Sequence, residues 1–151
     1  VGKYLETGYR PASRQYHELL ADKAPAARAL RQKRHRLQQH WDKIAIERPT
    51  RSLDGPFRVG DEFTVTTRVH LGELKPEEAD VELCYGKMRR IDALEDMHAQ
   101  KMEVKEESGQ AASVYESQLA CNISGRYGLT ARVTPRGDDL LKYSPGMITW
   151  V

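Results

Sequence analysis

At 151 residues, with 39% hydrophobic and 30% charged residues, the chain has the length of one ordinary domain and enough apolar material for a core. No stretch approaches the ~18 consecutive apolar residues of a membrane-spanning helix, and the opening Val1-Gly2-Lys3 lacks a basic-then-apolar leader. The formal net charge of +2 conceals an asymmetry: residues 1–50 carry 11 Lys/Arg against 5 Asp/Glu, residues 51–151 carry 13 against 17. With no initiator Met, the expectation is a piece of a longer polypeptide, cytoplasmic in setting.

The first predicted element covers "YLETGYRPASRQYHELL", residues 4–20, where Leu5, Tyr9, Ala12, Tyr16 and Leu19 fall at helical spacing. Pro11 removes a backbone donor and clashes with the preceding turn, so a kink or restart is expected there. Asp22 is the expected N-cap of a second helix, with Pro25 tolerated in its first turn. That helix has a stripe of Leu30, Leu37, Trp41 and Ile44, and its other faces carry Arg28, Arg31, Lys33, Arg34, His35 and Arg36. Such a basic cluster neutralises phosphates in nucleic-acid binders. Here it has no aromatic interleaving and no DNA- or RNA-binding motif, so a solvated face, or one meeting an acidic surface, is the preferred reading and polyanion binding the alternative. Apolar stripes of this kind also offer a route to a homo-oligomer through the helical segment.

From about Lys43 the period changes to two. Ile44 and Ile46 begin a short strand. "EFTVTTRVHL" places Phe63, Val65, Thr67, Val69 and Leu71 on one face, and "DVELCYG" places Val81, Leu83 and Tyr85 inward. "HAQKMEVKEE", "ASVYESQLAC", "RYGLTARVT" and "GMITWV" complete the set, separated by turn signals such as Gly60-Asp61, Ser108-Gly109 and Ser124-Gly125. About seven strands at this spacing predict an antiparallel β-sandwich of immunoglobulin or fibronectin type. The domain expectation is a helical segment over 1–42 and a sandwich over 43–151. Tyr127 is expected to form a tyrosine corner, and Ile148 and Trp150 to plug the core. Cys84 and Cys121 fit reduced thiols on strands, without metal-ligand spacing.

No catalytic constellation emerges. His17, His35, His40, His70 and His98 have no nucleophile motif beside them. The carboxylate pairs Glu77-Glu78, Glu106-Glu107 and Asp138-Asp139 sit at turns, where neighbours point apart. There is no glycine-rich phosphate loop. Trp41 and Trp150 are the candidate carbohydrate-contacting residues, since flat aromatic faces bind sugars; core packing is the preferred reading of both.

The order of the pieces then carries a resemblance. "KYLETGYRPASRQYHELL", "ARALRQKRHRLQQHWDKIAI", "FRVGDEFTVTTRVHLGELKPEEADVELCYG" and "GRYGLTARVTPRGDDLLKYSPGMITWV" resemble the C-terminal end of bacterial and archaeal-type α-glucan phosphorylases, over nearly the whole chain. The departures are Arg10-Pro11-Ala12, where the family more often has Leu-Pro-Ala, and Arg136-Gly137, where it tends to have histidine after the proline. The resemblance implies a parent enzyme that uses pyridoxal phosphate and phosphate to release glucose 1-phosphate from an α-1,4-glucan. It implies that the cofactor lysine, phosphate-binding residues and sugar-binding loops lie upstream of Val1, so this piece carries no cofactor and no catalytic residue. Its expected partners are the upstream catalytic domains and α-glucan, with no membrane. A structural or assembly role is the leading expectation, with a glucan-binding module and a polyanion binder as alternatives.

Overall fold

The structure is a computed structural model that describes residues 25–90, 93–107, 112–122 and 124–151. The expected first helix over 4–20, its break at Pro11 and the cap at Asp22 lie outside the described residues. The chain falls into two compact units, Val1–Arg36 and Leu37–Val151. Of the first, residues 25–36 are described; they form the start of helix α1, Pro25–His40, with Arg28, Arg31, Lys33, Arg34, His35 and Arg36 all exposed.

The second unit opens with the last turn of α1 and a short 3-10 turn, Trp41–Lys43. Here three of the four residues of the expected stripe, Leu37, Trp41 and Ile44, are buried, while Leu30 is half-buried. Among the described residues nine strands follow: β1 Ala45–Ile46, β2 Thr50–Arg51, β3 Glu62–His70, β4 Ala79–Arg90, β5 Ala93–Lys101, β6 Glu103–Glu106, β7 Ser113–Ala120, β8 Tyr127–Pro135 and β9 Thr149–Trp150. A four-residue helix α2, Asp139–Lys142, stands between β8 and β9. The strands form two antiparallel sheets. The first runs β1-β3-β7-β6, with β2 also on β3; the second runs β5-β4-β8-β9. The fold is mainly β, as expected.

Both sheets supply one buried cluster. Val65 and Val69 of β3 and Tyr115 and Leu119 of β7 come from the first; Val81 and Leu83 of β4 and Val133 of β8 come from the second. The period-two pattern that predicted these strands is also what buries them, since alternate side chains leave the pleat on opposite sides.

Three expectations need correction. "HAQKMEVKEE" is two strands rather than one. The chain leaves the second sheet after Lys101 and enters the first at Glu103. Met102 is the crossing point: its N–H donates to the Val81 carbonyl at 2.8 Å, and its side chain is 2% exposed in the core. A long flexible thioether suits the irregular gap between two sheets.

The hairpin of β4 and β5 was not anticipated. β4 runs to Arg90, past the expected end at Gly86, and β5 returns from Ala93 with register shifts at Tyr85/Lys87 and Met88/Arg90. Residues 87–90 are mostly exposed, so apolar alternation fades while pairing continues. Gly86 permits the approach of β5: a Cβ there would stand 2.6 Å from the Glu95 carbonyl oxygen.

Tyr127, the residue of the expected corner, is 37% exposed at the start of β8 and pairs in register with Lys87. The last strand has the opposite parity to that expected. Thr149 lies opposite Val133, a core residue, so Trp150 lies opposite Arg132 on the outer face. Trp150 is 44% exposed and Ile148 only half-buried, whereas Met147 is 1% exposed and fills the core. A one-residue slip transfers a strand's whole apolar set to the other face.

Candidate functional site

The outer face of the second sheet gathers the polar chemistry of the unit. On β4, Asp80, Glu82 and Cys84 alternate with the inward Val81 and Leu83. Their neighbours on β8 are Thr134, Arg132 and Thr130. Opposite charges therefore face each other across the ladder at Glu82 and Arg132, the arrangement that favours a cross-strand pair.

Glu82 is the centre of this face. Its residue exposure is 6%, low for a carboxylate. Arg132 donates to one carboxylate oxygen through Nε at 2.8 Å and Nη2 at 2.7 Å, and Lys142 donates to the other at 2.5 Å. Burial alone pushes this carboxyl upward, but the hydrogen bonds and charges of Lys142 and Arg132 reverse that and leave it below its ordinary value. The Glu82 hydrogen bond in turn holds the Lys142 ammonium above its ordinary value. α2 is what brings Lys142 here. Asp138 starts that helix by accepting the Leu141 N–H at 3.1 Å, and Leu141 packs into the core at 2% exposure.

A second carboxylate repeats the pattern. Asp80 accepts from Lys101 at 2.7 Å and from Arg136 Nε at 2.8 Å. Burial pushes its carboxyl up, and Lys101 and Arg136 more than reverse this. Each carboxylate thus holds two cations, and the face carries an excess of positive charge. Cys84, buried beside it, is a thiol pushed upward by desolvation; neither it nor Cys121 forms a disulfide.

Two exposed aromatic rings flank the Glu82 triad. The Arg132 guanidinium carbon lies 5.3 Å from the centroid of Trp150, and the Lys142 ammonium 5.7 Å from the centroid of Tyr143. Tyr143 is 54% exposed. Arg132 is clamped by two hydrogen bonds to a buried carboxylate, so it forms a fixed seat for the indole.

Of the two tryptophans singled out from sequence, Trp41 is 4% exposed within the core and offers no ring face to a ligand. Trp150 stands on the surface, and the two are not brought together. Glu82, Arg132, Lys142 and Tyr143 were not singled out from sequence. The available signal was the acidic pair Asp80 and Glu82 at i, i+2 on one predicted strand and the basic Arg132 on another, with Arg136 just past its end. It needed the β4/β8 register to become meaningful.

Elsewhere, a cleft of about 440 Å³ lies on the first sheet beside Glu47, Thr66, Arg68 and Lys105. Thr50 and Thr66 pair their hydroxyls there at 3.0 Å. Among the described residues no group of His, Cys, Asp and Glu is arranged to hold a metal, and no helix is long and apolar enough to cross a membrane.

Comparison with known proteins gives one consistent result. Residues 41–151 match the family model described as "Glycogen phosphorylase C-terminal domain". Proteins named "Glycogen phosphorylase" from Mycobacterium tuberculosis, strains CDC 1551 / Oshkosh and ATCC 25618 / H37Rv, are each 27% identical over 137 residues. The corresponding protein of Mycobacterium bovis shows the same identity. Each alignment covers 90% of this chain but 16% of the relative, so the chain spans about a sixth of the length of the proteins it matches. No solved structure matches significantly. The family match covers the whole two-sheet unit from Trp41 onward, and the chain belongs to the glycogen phosphorylase C-terminal domain family.

Proposed function

We propose that this chain is a non-catalytic C-terminal part of a cytoplasmic glycogen phosphorylase, and that its role is to pack on and stabilise the catalytic domains of the same polypeptide. The observation that carries the reading is the family match over residues 41–151 together with relatives about six times longer. The parent would release glucose 1-phosphate from an α-1,4-glucan by phosphorolysis.

Strand order supports an immunoglobulin-type sandwich. With β1 and β2 as A, β3 as B, β4 as C, β5 as C′, β6 as D, β7 as E, β8 as F and β9 as G, the sheets read A-B-E-D and C′-C-F-G. This is the immunoglobulin arrangement with one added edge strand. Such sandwiches host many unrelated roles, so fold alone does not choose the role.

The pyridoxal phosphate implied for the parent does not fit the described residues. A lysine that condenses with an aldehyde must give up its proton readily. Lys142, the one described lysine that is not exposed, is instead held protonated by Glu82. The cofactor therefore belongs to the remainder of the parent in this reading.

The test compares the parent phosphorylase with a variant lacking residues 41–151, measuring thermal stability, oligomeric state and phosphorolysis of long and short glucans. Loss of stability or assembly is the expected outcome. Unchanged stability, assembly and activity refute the packing role.

A further inference from the structure

We infer that the Trp150–Tyr143 face of the second sheet is a surface site for an α-glucan chain. The choice of glucan rests on the phosphorylase reading; the site itself rests on the geometry.

Trp150 and Tyr143 are 44% and 54% exposed. Large rings left in water call for an explanation when they are fixed rather than free. These two are fixed. Arg132 lies under Trp150 at 5.3 Å and Lys142 under Tyr143 at 5.7 Å, and both cations share the single buried carboxylate of Glu82. Tertiary structure has built a pair of ring platforms on one ionic anchor, with residues from β4, β8, β9 and the α2 segment. A pre-ordered aromatic loses little conformational freedom when it binds.

The composition between the rings selects the type of ligand. The centre of a protein–protein contact is depleted of charge. Here the centre is a carboxylate and two cations, with Asp80, Lys101 and Arg136 beside them. A pyranose has the complementary pattern. Its C–H faces meet the negative face of an aromatic ring, and its rim of hydroxyls takes hydrogen bonds from guanidinium and ammonium donors.

The test is calorimetric titration of the 151-residue chain with maltoheptaose, with tryptophan fluorescence recorded in parallel. Saturable binding with a Kd on the order of 1 mM is expected. Trp150→Ala and Tyr143→Ala should each weaken it by roughly tenfold, while the urea midpoint of either variant stays near that of the parent chain. The β-linked cellohexaose should give at most a weak signal. Two results overturn the inference: no saturable heat from a chain verified as folded, or undiminished binding by Trp150→Ala. Two other occupants would also overturn it, if seen without sugar binding. One is a concentration-dependent dimer abolished by Trp150→Ala; the other is loss of assembly of the parent phosphorylase on the same substitution. Sugar titration of the isolated chain and truncation of the parent are separate measurements, so failure of one reading is distinguishable from failure of the other.

Discussion

Replacing Glu82 by Gln removes one charge and nearly no volume. In the native fold this leaves Arg132, whose side chain is 11% exposed, and Lys142, at 24%, facing each other with no carboxylate between them. Removing one partner from a buried ion pair costs about 3–5 kcal/mol, because the other charge stays desolvated. Lys142 has partial access to water and Arg132 keeps the Trp150 ring, so the low end applies, about 3 kcal/mol. In a unit of this size that corresponds to roughly 10 °C in Tm.

Urea unfolding of the chain at pH 7 measures the cost, and a pH series measures its origin. The folded Glu82 carboxyl lies below its ordinary value of 4.5, so the unfolded chain binds the proton more tightly. Its contribution is therefore complete above that value and is lost as pH falls through the folded one. Glu82→Gln should remove part of the acid-side loss of stability and leave the share due to Asp80, which is lowered in the same way. A triple variant, Glu82→Leu with Arg132→Met and Lys142→Met, should recover most of the stability, since apolar replacement of a whole buried triad is close to neutral. A loss below about 1 kcal/mol for Glu82→Gln, or an unchanged acid slope, would show that the triad is effectively solvated and refute the reasoning.

Four further outcomes are expected. Gly86→Ala should cost about 2 kcal/mol by urea unfolding, because its methyl group would meet the Glu95 carbonyl oxygen at 2.6 Å and backbone must move; a neutral result would mean that β5 shifts freely. Met102→Ala should cost about 3 kcal/mol at the crossing between sheets, where the side chain is 2% exposed, and differential scanning calorimetry should show it as a lower Tm. Trp41→Ala should destabilise by about 3–5 kcal/mol and Trp150→Ala by about 1 kcal/mol or less, the contrast between a core indole and one stacked on a guanidinium at the surface. Cys84 should resist alkylation at pH 8 in the native chain and react in urea, since it is fully buried and its thiol is pushed upward by desolvation; rapid native labelling, read by mass spectrometry, would contradict its placement.

Much of the fold was legible in residue order. The Leu37-Trp41-Ile44 stripe and the alternation through Val65, Thr67 and Val69 place those residues in the core, as found. Both signals arise within one element, from helix or strand geometry alone. The signal weakened where apolar residues stop reporting on burial. In the β4–β5 hairpin, pairing continues through exposed charged residues such as Arg89 and Glu95, which join at 2.7 Å. In α2, four residues are too few to show a period, and the capping Asp138 reads equally well as a turn residue.

The amino-acid sequence by itself determined the switch from helical to strand periodicity near Lys43, the β-rich class and, through the order of its motifs, the family. Those properties are local, or are carried by residue order. Only tertiary structure decided that Met102 divides one apparent strand between two sheets, and that Trp150 faces outward onto Arg132 rather than into the core. Only it could bring Glu82, Arg132 and Lys142 together, across separations of 50 and 60 residues. Register decides these outcomes, and register is a property of pairs of strands. A shift of one residue leaves every local propensity unchanged and exchanges the buried face for the exposed one.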